Sequence, residues 1–136
     1  MSQDSVQIAR RVTELWNQGG WEAVIAEGLL HPEVEYHDDK NWPEARSTLG
    51  APALIERFDE VLEVMGRDAK IEVEEFIDGG EGRVVLILQF RGEARASGIH
   101  HEYRWGYIAR VRDGQVDYLH AYLDPNDAVE AAGLKE

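Results

Sequence analysis

The chain has no cysteine among its 136 residues. That absence excludes a disulfide framework, a cysteine-built zinc site and a thiol nucleophile. Basic residues are scarce, 14 Lys and Arg against 27 Asp and Glu, and they form no basic run. A formal net charge of −13 argues against nucleic acid or an anionic membrane as partner, since both are bound through basic patches. Long hydrophobic stretches are missing too. The longest aliphatic run, residues 84–88, is far short of the ~20 residues that span a bilayer. The first residues, MSQDSVQIARR, carry no apolar core of a secretory signal, so cytoplasm is the expected location. No repeat, low-complexity tract or linker interrupts residues 1–136. They read as one domain, and an apolar fraction of 43% is enough for a packed core.

Within that frame the most informative segment is 101–124, HEYRWGYIARVRDGQVDYLHAYLD. Asp113-Gly114 between two alternating runs is a strong hairpin signal, because a two-residue turn needs positive φ where Asp and Gly tolerate it. Alternation puts Tyr103, Trp105, Tyr107, Ala109 and Val111 on one strand face, and the intervening residues on the other. Aromatics with polar tips on a buried face suit a small-molecule pocket, which is mostly apolar with a few placed polar groups. The same stripe also suits a plain core.

Helical spacing marks residues 6–17, with Ile8, Val12, Leu15 and Trp16 on one side and Gly19-Gly20 as the stop. A second short helix follows over 21–27. His31-Pro32 reads as a break before a short strand at 34–37, and residues 38–50 as a loop. Residues 51–65 form the clearest helix, with Leu54, Phe58, Val61, Leu62 and Met65 in one stripe, Pro52 in the first turn and Gly66 after the end. From residue 70 the period becomes 2. The strand at 83–91 is apolar on both faces and therefore expected to be central. A turn over 92–98 leads into the hairpin. Asp124 is placed to cap a final helix, with Pro125 at its first position and Gly133 after it. This order implies an α+β fold, a curved antiparallel sheet with helices on one face.

Several marks in this order resemble the NTF2-like superfamily, in its SnoaL-like and ketosteroid-isomerase-related branch. They are Trp16-Asn17-Gln18-Gly19-Gly20, His31-Pro32-Glu33-Val34 with Tyr36-His37-Asp38, and Glu74-Glu75-Phe76-Ile77-Asp78. Val111-Arg112-Asp113-Gly114-Gln115-Val116, Tyr122-Leu123-Asp124 and Ala131-Ala132-Gly133-Leu134 complete the set. The resemblance spans nearly the whole chain. It implies a cone, a bent sheet wrapped round a pocket closed by the N-terminal and middle helices, and a homodimer formed through the sheet's outer face.

It also implies site residues. Asp38 stands where steroid isomerases carry their general base, and Tyr107 where they carry an acid that hydrogen-bonds the oxyanion. Val12 stands at the helix-one Tyr that supplies their other donor, and Ala121 at the Asp of SnoaL-type cyclases and limonene-epoxide hydrolases. The second departure argues against those two chemistries. The expectation is then a cofactor-independent isomerase or lyase moving a proton next to a carbonyl of a small hydrophobic molecule. Asp38 and Tyr107 would be catalytic, and Tyr103, Trp105, Trp42, Trp16 and Phe58 would shape the cavity. A non-catalytic ligand-binding or dimeric accessory module is the alternative.

Other polar groups invite blander readings. Asp38 also fits a polar strand end, and period 2 sends His37 to the opposite face. His100-His101-Glu102, or His120 with Asp124, suggest a metal. Adjacent histidines on a regular strand point apart, though, and no HExxH or facial-triad spacing is present, so none is expected. Arg91 and Arg104 read as surface partners of the many carboxylates.

Overall fold

The computed structural model describes residues 2–42, 44–65, 69–93 and 100–134; at 2–4, 64–65, 92–93 and 100–103 it describes the backbone only. The elements are α1 (Ser2–Ala26), β1 (Leu30–His37), β2 (Ser47–Leu49), α2 (Ala51–Met65), β3 (Lys70–Gly80), β4 (Arg83–Glu93), β5 (His100–Arg112), β6 (Gln115–Tyr122) and α3 (Pro125–Ala131). The strands form one six-stranded sheet in the order β2-β1-β6-β5-β4-β3. β4 is flanked on both sides, which explains its run of valines, leucines and isoleucine. The hairpin turns at Asp113 (φ 52°) and Gly114 (φ 78°), the two positive values a type I′ turn requires.

Four expectations change, the last of them the place of α3. The sheet is mixed, because β1 runs parallel to β6 while every other pair is antiparallel. His31 and Pro32 lie inside β1, where the register shifts between Leu30 and Glu35; an irregular stretch tolerates a residue that cannot donate to the ladder. Residues 47–49, read as loop, pair with β1; three residues are too few to show a period. The Gly66 stop and most of the turn expected over 92–98 lie outside the described residues.

Further register shifts at Val73/Glu75, Asp78/Gly80 and Arg110/Val111 bend and twist the sheet. Its concave face carries Val34 and Tyr36 of β1, Val84, Leu86, Leu88 and Phe90 of β4, and Trp105, Tyr107 and Ala109 of β5. α1 and α2 close over it with Leu15, Trp16, Leu54, Phe58 and Val61. α1 kinks where expected. Gly20 (φ 73°, ψ −165°) adopts backbone that side chains avoid, and the helix restarts at Trp21. Asn17 then pins the kink to edge strand β3. Its amide donates to the Ile71 carbonyl at 2.7 Å and accepts from the Ile71 N–H at 2.8 Å. α3 does not join the other helices. It packs on the convex face, where Val85 and Ile108 meet Ala128 and Ala132. Asp124 caps it, accepting the Asn126 N–H at 2.9 Å. Among the described residues no helix is long and apolar enough to cross a membrane.

Candidate functional site

Between the helices and the concave face lies a cavity of about 50 Å³. Val12, Trp16, Phe58, Leu86 and Leu119 give it walls of carbon, and Tyr107 reaches it from β5. Of the expected residues, Trp16, Phe58 and Tyr107 therefore line it. Trp105 and Trp42 do not. Trp105 stacks on Tyr107 at 6.1 Å, and half-buried Trp42 packs against Trp105 at 5.3 Å, one layer removed. The Tyr103 side chain lies outside the described residues. The volume also corrects the scale of ligand, since pockets for drug-sized molecules begin near ~300 Å³. At this volume neither a steroid nor a single ring, which needs ~150 Å³, fits without the walls moving.

Asp38 is not in the cavity wall. It is buried behind Tyr36, on the same face of β1 two residues on, and α2 supplies its counter-charge. Arg57 Nε donates to Asp38 Oδ2 at 2.8 Å, and Nη2 stands 2.8 Å from the same oxygen. The first is a hydrogen bond; the second is a charge contact only, for Nη2 has no properly oriented acceptor. The Arg46 backbone N–H donates to Oδ2 as well, at 3.1 Å. Glu60 completes the cluster, accepting from Arg57 Nη1 at 2.7 Å and Arg46 Nη2 at 2.6 Å. Asp38, expected at the position of a general base, is thus a carboxylate held by a guanidinium. Burial works against the Arg57 charge, but its hydrogen bonds to Asp38 and Glu60 leave its pKa above the ordinary value. The same bonds, from Arg57 and then Arg46, pull exposed Glu60 below the usual carboxylate range.

Tyr36 links this cluster to the cavity. Its phenol lies between the Asp38 carboxylate and the Tyr107 phenol, close enough for both to act on it. Burial first, then the Tyr107 phenol and the Asp38 carboxylate, push the Tyr36 pKa far up. Burial and the Asp38 charge raise that of Tyr107, with Tyr36 working the other way. Both remain neutral hydroxyls at neutral pH. The result is a row of neighbouring groups, Tyr107, Tyr36, Asp38 and Arg57, from cavity to buried ion pair.

Tyr36 and Arg57 were missed from sequence, although both left a signal. Tyr36 shares a face with Asp38 by period 2, and Arg57 stands between Leu54 and Val61 at helical spacing, a charge on a buried stripe. Neighbouring Asp39 is structural: Oδ1 accepts from the Asn41 N–H and Oδ2 from that of Leu123, closing the loop after β1 onto the end of β6. His37 faces outward, meeting Glu35 and Ser47 and stacking on His120 at 5.3 Å. Among the described residues no three His, Asp or Glu side chains converge as a metal site; the side chains of His100, His101 and Glu102 lie outside them.

The comparisons agree with this architecture. A SnoaL-like domain model matches residues 9–119. A putative SnoaL-like polyketide cyclase from a Jannaschia species superposes with a TM-score of 0.72 at 21% identity, covering 98% of this chain and 94% of its own. An NTF2-like protein of unknown function from Burkholderia pseudomallei gives 0.74 at 18% identity, over 93% and 95%. TerC, co-crystallised with polyporic acid, gives 0.74 at 18% identity, over 96% and 98%. No curated protein matches the chain. With most of its length matched by one family model and its cone shared with these structures, the chain belongs to the SnoaL-like domain family of the NTF2-like fold.

Proposed function

We propose that the chain is a small-molecule pocket protein that moves a proton next to the carbonyl of a small hydrophobic substrate, as a cofactor-independent isomerase or lyase. The observation that carries this reading is Tyr107 in the wall of a carbon-lined cavity, with Tyr36 and the Asp38–Arg57 pair behind it. A substrate C–H next to the carbonyl gives its proton to Tyr107 Oη while the Tyr107 proton passes to Tyr36 and the Tyr36 proton to Asp38. The substrate is left as an enolate, and the reverse transfer at a different carbon completes an isomerisation. Asp38 remains the base of the reaction, but acts through two phenols. Tyr107 becomes the group that touches the substrate, because it lines the cavity and Asp38 does not. Arg57 positions Asp38.

A second reading is favoured by the same cavity. Among the described residues no carboxylate or imidazole lines it, and on this reading the chain binds its ligand without turning it over. One assay separates the two. Cyclohex-3-enone, a single-ring β,γ-enone, is followed by ultraviolet absorbance as it becomes the conjugated isomer. The enzyme reading expects turnover that falls by about 10²-fold or more in Tyr107→Phe and in Asp38→Asn, with affinity kept. Variants that turn over like wild type sink the relay, and binding without turnover makes the chain a binder.

The homodimer belongs to this reading. The outer faces of β1 and β6 carry a row of rings, His37, Tyr118, His120 and Tyr122, with His120 stacked on Tyr122 at 4.3 Å. Sedimentation equilibrium of a Tyr118→Glu variant tests it, with dissociation to monomers as the expected outcome.

A further inference from the structure

At one edge of the sheet, β1 and β2 bring together a hydroxyl, an imidazole and a carboxylate. His37 and Ser47 stand opposite each other in the ladder, and Glu35 lies two residues from His37 on the same outer face. Ser47 Oγ is 2.5 Å from His37 Nδ1, and Glu35 Oε2 is 2.5 Å from His37 Nε2. A carboxylate only accepts, so Nε2 carries the ring proton, and the neutral ring leaves Nδ1 to accept from the Ser47 hydroxyl. The imidazole is also held by its neighbours, stacked on His120 at 5.3 Å and tilted against Tyr118 at 5.4 Å. Arg46, just before Ser47, is tied down by its backbone. Its carbonyl accepts the Asp38 N–H, and its N–H donates to Asp38 Oδ2, each at 3.1 Å. Asp38–Arg46 and Val34–Gly50 are bonded pairs of this ladder, so by alternation His37–Ser47 is an unbonded one. The Ser47 N–H therefore points away from β1, and β2 is the last strand of the sheet, so it faces the open edge. Leu49, on the same strand face as Ser47, is 72% exposed beside it.

We propose that Ser47 is an activated nucleophile, and that this edge is an acyl-transfer site for esters of short apolar acids. The proposal does not depend on the cavity. A serine hydroxyl alone is a weak nucleophile and needs a base within hydrogen-bond reach, which His37 supplies. His37 Nδ1 takes the hydroxyl proton as Ser47 Oγ attacks the ester carbonyl carbon. The bond to the leaving alcohol then breaks, and His37 returns the proton to the alcohol oxygen. Water attacks the acyl-Ser47 ester in turn, giving one proton to His37. Oγ leaves and recovers that proton, and the free acid departs. Compared with the usual serine–histidine–acid arrangement the two ring nitrogens exchange parts, and the proton count is unchanged. The Ser47 N–H, unused by the ladder, is the donor available to the oxygen on which negative charge gathers. Glu35 touches no substrate. It is a positioning residue that keeps the proton on Nε2 and balances the charged ring. Leu49 offers an apolar acyl chain a surface to cover. The site is open to water, where such groups are worth less than in a closed cleft, so the expected acceleration is modest.

Two probes test it. p-Nitrophenyl butyrate releases p-nitrophenolate, which is followed by absorbance, and an alkyl fluorophosphonate traps an activated serine by loss of fluoride. The expected result is a fluorophosphonate adduct that peptide mass spectrometry places at Ser47, with ester turnover that falls to the level of buffer in Ser47→Ala. In His37→Gln both reactions should slow by about 10²-fold. Glu35→Ala should slow them less, and the ¹⁵N signals of the His37 ring should pass from one tautomer to a mixture. The three side chains stand on the outer face, and unchanged thermal midpoints show that the variants fold. Turnover that persists in Ser47→Ala overturns the proposal, because His37 then attacks the ester itself. An adduct spread over lysines and tyrosines overturns it too, as does one at Ser47 that forms equally fast in His37→Gln. Both probes are also run on Tyr118→Glu, expected to be monomeric, so that a dimer through the neighbouring rings does not hide this edge. Inertness of both proteins toward both probes overturns the proposal.

Discussion

Arg57 is 3% exposed and sits on the same helical stripe as Leu54, Phe58 and Val61. A guanidinium there is tolerable only because Asp38 and Glu60 receive it. Arg57→Ala leaves the Asp38 carboxylate buried without its counter-charge and should cost about 3–5 kcal/mol, read from urea unfolding. Replacing both partners by leucine should restore much of that loss, because the desolvation of two ions is removed along with their attraction. A double variant as unstable as Arg57→Ala would mean that the pair holds the loop after β1 in some other way. The ingredients of this pair were visible in the sequence as a charge on an apolar stripe and an acid at a strand end. Their meeting was not, because it joins residues 19 positions apart across two elements.

At the scale of elements, α3 shows how a glycine decides a packing distance. Gly106 lies on the convex face of β5 directly beneath the helix, and a Cβ there would stand 2.7 Å from the Ala128 Cβ and 2.9 Å from the Pro125 Cα. Neither atom belongs to a flexible side chain, so α3 must lift. Gly106→Ala should destabilise the fold by about 1–3 kcal/mol, and amide exchange in α3 should quicken while α2 stays protected. Unchanged exchange in α3 would place the strain elsewhere. The sequence announces this helix clearly, by Asp124, Pro125 and Gly133, and it announces Gly106 on the face opposite Trp105. Which face of the sheet the helix covers is a matter of connection and volume, and neither is written in a local period. The same holds for β2, three residues whose strand character comes entirely from pairing with β1.

For the molecule as a whole, the outer row of rings carries a pH dependence. Burial, with the neighbouring His37 adding to it and the Ala121 carbonyl opposing, lowers the pKa of His120. The folded chain then takes up that proton less readily than the unfolded one, whose histidine titrates near ~6.5. Stability from this group is present above that value and is lost as pH falls through it toward the lower folded value. The thermal midpoint should decline between about pH 7.5 and 5.5, and His120→Gln should flatten the decline. Glu60 and Glu74 act separately. Their lowered values place their loss of stability further down, below the ordinary carboxylate range. A midpoint that stays level to pH 5.5 in wild type would remove His120 from this account.

By itself the sequence determined the α+β class, the order and type of most elements, the hairpin, the kink at Gly19-Gly20 and the aromatic stripe on β5. These follow from local causes: side-chain period, turn residues that tolerate positive φ, and caps. Its composition left no cysteine for thiol chemistry in these residues and set the expectation against basic-patch partners. The tertiary structure alone decided that β1 runs parallel to β6, that α3 covers the convex face, and that Trp42 and Trp105 stand behind the cavity while Trp16, Trp21 and Phe58 enclose it. It also set the cavity at about 50 Å³ and placed Asp38 against Arg57, behind Tyr36. Those outcomes depend on which distant surfaces meet and on the space left between them, and no local pattern of residues encodes either.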